Sequence, residues 1–345
     1  MISLRCASLP AVLASSLFAQ TLPQLPTSSP AVEAIRKAGT LTCGVDQSEA
    51  EFSMTDEHGS RVAFDRDLCN AVAAAILGQG YRVELKGYPD EDTALQALRG
   101  GEVDMVASVS DDLTHSTLPG IALARPVLYD WRGFLVPRSA GIARASQLSG
   151  HKICVLGETE AEVNLRSWFQ RRHLNFVPFP FQEEGEMEAA FVTANCTALF
   201  GDVTRLANTR AAFGTHAHEF VLLPDVVAQD PLASAYRNND AAFAHIVQWS
   251  FEVLLLAEQQ HVTAKGMATL HAGYSPETDR LLDSAHALGR PLGLADGWPV
   301  RVIQAVGNYG ELFRRDVGAG SPLNLPRLPP TPGNGGDPLQ PLPFK

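Results

Sequence analysis

Basic residues are scarce in this chain of 345 residues: 27 Lys and Arg stand against 38 Asp and Glu, a formal charge of −11. A stripe able to neutralise phosphates would have to be built against that field, so nucleic acid is not an expected partner. Beyond the N-terminus there is no run of about 18 apolar residues, which excludes a spanning helix there on length. The common chemical signatures are missing as well. No GxGxxG, Walker loop, HExxH or GxSxG occurs, so the usual nucleotide and hydrolase sites are absent. Cysteine is sparse, five in all, with no C-x-x-C spacing to favour zinc. His216 and His218 lack a third ligand nearby and read as a polar loop. No cofactor and no metal is expected.

What is present begins with an export pattern. Residues 1–19 carry Arg5 and then a short apolar stretch that ends on the small residue Ala19. This reads as a secretory signal peptide, with a buried N-terminal helix as the alternative. Removing it takes away Arg5 alone and moves the charge from −11 to −12. Cys43, Cys69, Cys154 and Cys196 then remain, an even number for an oxidising compartment. Three pairings are possible. Pairing within each half of the chain, Cys43 with Cys69 and Cys154 with Cys196, closes loops of moderate length and is the expected one. Four reduced thiols or a zinc site are the competing reading.

About 150 residues per domain gives roughly two domains. From about residue 40, strand and helix signals alternate: 41–45, 67–77, 81–87, 92–98 and 103–107, an order that argues parallel βαβ units. Leu68, Val72, Ala75 and Ile76 form a helical stripe that reads as core. A second series follows 133–136, with 152–156 as strand, 159–169 and 184–193 as helices and 197–200 as strand. Residues 231–237 read as a second crossing between two similar α/β lobes. After it come helical patterns at 243–258, 278–288 and 300–314, then a Pro- and Gly-rich tail. The expected division is a signal at 1–19, lobe one at 31–136, lobe two at 137–229, a mostly helical return to lobe one at 230–321, and an extended tail at 322–345 that is expected to lie over a lobe.

Several stretches resemble a known family: 41–45, Phe64 to Ala75, 94–98 with Gly101 to Asp104, Leu223-Pro224-Asp225, Asp230-Pro231-Leu232, and Val306 to Phe313 followed by Ser321-Pro322-Leu323. They are similar to the periplasmic general L-amino-acid-binding proteins that feed ABC importers. The resemblance implies a two-lobe α/β Venus-flytrap fold with two hinge crossings and a helical C-terminal segment. It also implies a periplasmic protein, without chemistry of its own, that passes an amino acid or related amine to a membrane permease. The protein is expected to be a monomer.

The candidate site follows from the strand ends, where open α/β sheets collect ligands. Ser108 and Ser110 stand where 103–107 runs out, and Asp46 ends the first strand. Thr159 opens a capping-box pattern, and a helix start can receive an anion. The resemblance implies that Gly157 and Thr159 meet the ligand carboxylate and that Asp202 receives its α-ammonium. The alternative for Thr159 and Asp202 is plain helix capping. At position 115 the family resemblance implies an Arg that clamps the carboxylate; this chain has His115, and imidazole cannot form that fork. Glu49, Phe52, Glu158 and Glu160 complete the candidates. With Asp111 and Asp112, the acids make an acidic cleft that disfavours a carboxylate and favours a cation. Two other functions fit the same scaffold: a dehydratase-like enzyme using Glu158 or Glu160 as general acid, and a sensory ligand-binding protein.

Overall fold

Ser29 accepts the amide of Val32 at 3.1 Å, Pro30 occupies the first helical turn, and Gly39 ends the helix in the left-handed region. A hydroxyl cap, a residue with no N–H to lose and one with no Cβ thus delimit α1 (Pro30–Ala38). The structure, a computed structural model, describes residues 29–46, 61–271, 273, 275–282, 288–327 and 339–342. The expected signal peptide, Glu49 and Phe52 lie outside the described residues, as does the side chain of Asp46.

The first alternating series is β1 (Leu41–Asp46), α2 (Arg61–Leu77), β2 (Val83–Tyr88), α3 (Glu91–Gly100) and β3 (Met105–Ser110). A single turn, α4 (Leu113–Ser116), leads into β4 (Ile121–Pro137). The second series is β5 (Lys152–Leu156), α5 (Glu160–Arg171), β6 (Val177–Phe181), α6 (Glu184–Val192), β7 (Ala198–Asp202) and α7 (Val203–Ala212). Then β8 (Phe220–Leu222) and β9 (Ala228–Arg237) precede four helices: α8 (Ala241–Gln259), α9 (Pro276–Leu282), α10 (Trp298–Val306) and α11 (Tyr309–Asp316).

The strand order is β2-β1-β3-β9-β4-β7-β5-β6, with β8 also on β4. β1 runs parallel to β2 and β3, and β5 runs parallel to β6 and β7. The two triplets are copies of one arrangement. Between them β4 and β9 pair antiparallel to each other and to one triplet each. β4 has 17 residues, about 55 Å at a strand's rise, so a single strand reaches from one lobe to the other.

Each lobe has its own staple, while the main hydrophobic cluster runs from lobe one through Val127, Leu128, Trp131 and Leu135 of β4 to Met187, Phe191 and Leu199 of lobe two. Cys43 on β1 is bonded to Cys69 on α2, and Cys154 on β5 to Cys196 before β7, as the half-by-half pairing expected. Phe134, Trp168, Phe169 and Phe200 stack edge-on or tilted in lobe two, where they dominate burial. Length alone does not exclude a spanning helix, contrary to the sequence expectation, because α8 is apolar and long enough to cross a membrane although polar residues interrupt its apolar run. It is mostly buried and carries Glu252, 1% exposed, paired with Arg125 at 2.8 Å. It is the central helix of lobe one, packed by α2, α10 and α11. Where residues 339–342 are described they contact β4 and α8: Leu339 is buried, Arg125 donates to the Gln340 carbonyl at 2.8 Å, and Leu342 N–H donates to Glu252 at 2.7 Å.

One buried charge cluster predicts a pH effect. Arg315 is shared by Asp67 and Asp316, and Asp316 is fully buried. Burial, opposed by Arg315 and reinforced by Asp67, raises the Asp316 carboxyl from 3.8 to about 7. A folded-state value above the unfolded one favours the neutral acid in the native protein. Its contribution to stability is complete below about pH 4 and is lost as pH rises through about 7. Asp316→Asn, which stays neutral, should therefore gain stability relative to the native chain between pH 5 and 8, by up to a few kcal/mol. Urea unfolding across that range checks it; a pH-independent difference would count against this titration.

Candidate functional site

Between the lobes lies a cleft of about 830 Å³. Its floor is made by the crossing strands β4 and β9, one wall by the start of α3 and the turn from β3 to α4, and the other by α5, β7, α6 and α7. Among the described residues ten carboxylates line it against two guanidiniums, Arg132 and Arg205, so these groups give the cleft a negative field that draws in cations. Burial first, and the neighbouring Asp112 charge second, raise the Asp111 carboxyl above its ordinary value.

Ser110, His115, Thr159, Glu160 and Asp202 are brought together on the cleft wall. Ser108 is not. It is 1% exposed and gives its hydroxyl to Asp65 at 2.7 Å, below the wall. Glu158 also lies off the wall, exposed and at a positive φ of 62°. Gly157 donates its N–H to the Phe181 carbonyl at 2.8 Å, so that amide is engaged by the sheet.

Asp202 occupies the N-cap position of α7 but makes no side-chain cap bond. The cap comes from a distance: Asp130 on β4 accepts the Thr204 N–H at 3.3 Å and the Thr204 hydroxyl. The Asp202 carboxylate is thereby released into the cleft, where it meets Arg132 at 3.1 Å. Thr159, by contrast, does cap its helix, accepting from Glu162 N–H at 3.4 Å while donating to the Leu156 carbonyl at 2.8 Å. The Glu162 carboxylate reaches back to the N–H of Glu158 at 3.0 Å, one residue beyond the expected reciprocal bond. Its carboxyl is held below the usual range, first by Arg166 and then by that amide.

His115 stands among acids. Asp112 caps α4 and meets the ring Nδ1 at 3.0 Å, while Nε2 lies 3.9 Å from both Glu91 and Asp92. Glu91 in turn accepts the Ser110 N–H at 3.1 Å, and Ser110 Oγ donates to Asp230 at 3.3 Å. Arg132, Asp230, Glu91 and Arg205 are cleft groups the sequence reading misses. For Arg132 a signal existed, a lone cation inside the apolar run 131–136. Among the described residues no group of three His, Cys, Asp or Glu is arranged to hold a metal.

No family model matches the chain. It is 32% identical over 302 residues to the glutamate/glutamine/aspartate/asparagine-binding protein BztA of Rhodobacter capsulatus, covering 87% of this chain and 89% of that protein. It is 31% identical to the general L-amino acid-binding periplasmic protein AapJ of Rhizobium johnstonii, covering 85% and 86%. Among solved structures, an ABC transporter periplasmic binding protein from Brucella ovis with glutathione bound superposes with a TM-score of 0.78 at 30% identity, covering 91% of this chain and 99% of that one.

Proposed function

This chain belongs to the family of periplasmic amino-acid-binding proteins of ABC importers, and on that premise we propose that its cleft captures an amino acid, or a related small molecule bearing an amine, for delivery to a membrane permease. The observation that supports this most is the acid-rich cleft whose Asp202 carboxylate is freed from helix capping. Asp202 receives the ligand's ammonium, and Ser110, Thr159, Glu160 and His115 surround it from both walls. We read 31–136 with 230–321 as one lobe and 137–229 as the other, hinged at β4 and β9. A ligand that touches both walls only when they approach shifts the population toward the closed form, which the permease then meets. The protein binds rather than transforms its ligand; it is exported by residues 1–19 and acts as a monomer.

The negative cleft works against ligands of net negative charge. Mass spectrometry of small molecules released on denaturation, followed by calorimetry with L-arginine, L-leucine, L-glutamine, L-glutamate and glutathione, tests both parts. L-glutamate and glutathione should bind at least about 10-fold more weakly than the tightest of the other three, about 1.4 kcal/mol. L-glutamate as the tightest ligand would end the acid-field argument; no binding by any of the five would end the amino-acid reading.

A further inference from the structure

Arg132 and Arg205, the guanidiniums that line the cleft among the described residues, are placed differently. Arg205 on α7 pairs with Glu184 on α6, so both of those charges belong to lobe two. Arg132 lies on β4, in register with Asp202 of β7. Its Nε is 3.1 Å from Asp202, and an outer nitrogen is 3.8 Å from Asp230 on β9. Asp230 also accepts the Ser110 hydroxyl of lobe one. The Arg132 guanidinium therefore touches a network that runs into both lobes, and at 15% exposure it is already largely out of water.

Resting on the amino-acid reading above, we propose that Arg132, and no group at position 115, receives the ligand's α-carboxylate: the zwitterion inserts into the Arg132–Asp202 ion pair, carboxylate on Arg132 and ammonium on Asp202. An α-amino acid carries its ammonium and its carboxylate on one and the same carbon, so its receptor needs opposite charges side by side. The Arg132–Asp202 pair has that arrangement. His115 does not, because Asp112 holds one ring nitrogen at 3.0 Å and Glu91 and Asp92 stand 3.9 Å from the other. A carboxylate arriving there would meet three of its own sign.

Insertion also leaves no buried charge alone. Before binding, Arg132 and Asp202 satisfy each other; after it, each faces the complementary end of the ligand, so lobe closure does not desolvate an unpaired ion. A ligand with only an ammonium can take Asp202 while Arg132 turns to Asp230. A ligand with only a carboxylate takes Arg132 and strands Asp202. The site thus selects zwitterions, and the planar fork of an arginine adds directional preference for a carboxylate.

The test compares each amino acid with the amine left by its decarboxylation: L-leucine with 3-methylbutylamine, L-lysine with 1,5-diaminopentane, and L-glutamine with 4-aminobutanamide. Calorimetry on the native chain should show the bound amino acid favoured over its amine by about 30-fold or more. In Arg132→Gln that ratio should fall to within about 3-fold while the affinity for the amine stays nearly constant, and Arg132→Lys should recover part of it. Thermal unfolding establishes that each variant is folded. Should the Gln variant fail to fold, the Lys variant carries the test, since loss of the fork with the charge kept must still narrow the ratio. Equal weakening of both members of a pair, or an unchanged ratio, would overturn the proposal and make Arg132 a scaffold for Asp202. Binding of none of the six probes by the native chain would instead overturn the amino-acid reading beneath it.

Discussion

Reduction of the two disulfides is expected to remove about 3.5 kcal/mol from lobe one and about 4 kcal/mol from lobe two, from the closed-loop entropy of separations of 26 and 42 residues. Each loss is a large fraction of the roughly 5 to 15 kcal/mol that stabilises a domain. They should also be local, because each bond ties a strand of one triplet to its own lobe. Replacing Cys43 and Cys69 together by Ala should raise hydrogen exchange in β1, α2 and β3 and leave the Phe134, Trp168, Phe169 and Phe200 cluster of lobe two protected. Replacing Cys154 and Cys196 should do the reverse. Guanidinium unfolding with and without reductant reads the totals. Uniform loss of protection across both lobes, from either pair alone, would mean that the two lobes unfold as one unit and that the staples are not lobe-specific.

What was legible in the sequence follows the places where burial sets the pattern. The strands at 41–46 and 152–156 are short apolar runs because both faces are covered, and each is followed by a helix with an apolar stripe or aromatic anchors. β4 was legible only at 133–136. Its earlier part interleaves core residues such as Val127, Leu128 and Trp131 with Arg125, Asp130 and Arg132, whose partners are the tail and Glu252, Thr204 and Asp202, all distant in the chain. Strand β6 hides behind Pro178 and Pro180, which read as breakers; at the last position of the sheet their missing N–H groups leave no neighbour unpaired. The site divides in the same way. Ser108 and Ser110 are indistinguishable by type and spacing, and depth along β3 separates them: one is sealed against Asp65, the other reaches the cleft. Asp202 reads equally as cap and as ligand group until the remote cap from Asp130 is seen, a contact 74 residues away in the chain. Non-local contacts of that kind leave no periodic trace.

Asp202→Ala is expected to weaken binding of the cognate amine-bearing ligand by about 2 to 4 kcal/mol, roughly 30- to 1,000-fold in Kd. The size follows from what remains after truncation. With the carboxylate gone, the ligand's ammonium enters a closing cleft without its hydrogen-bonded counter-ion, and a desolvated ion that loses its partner costs more than the bond was worth in water. The other acids of the cleft do not replace it: Asp230, the nearest to Arg132, already accepts the Ser110 hydroxyl and stands 3.8 Å from Arg132, and the exposed acids act at longer range, where salt screens them. The fold should survive the change: α7 keeps its cap from Asp130, and Arg132 retains Asp230 at 3.8 Å. Asp202→Asn sharpens the comparison, since it preserves size and an acceptor oxygen but loses the charge, and it should fall between the native chain and the Ala variant. Calorimetry at two ionic strengths reads both quantities. An unchanged Kd in Asp202→Ala, with the unfolding midpoint also unchanged, would place the ammonium elsewhere in the cleft and leave Asp202 as the partner of Arg132 alone.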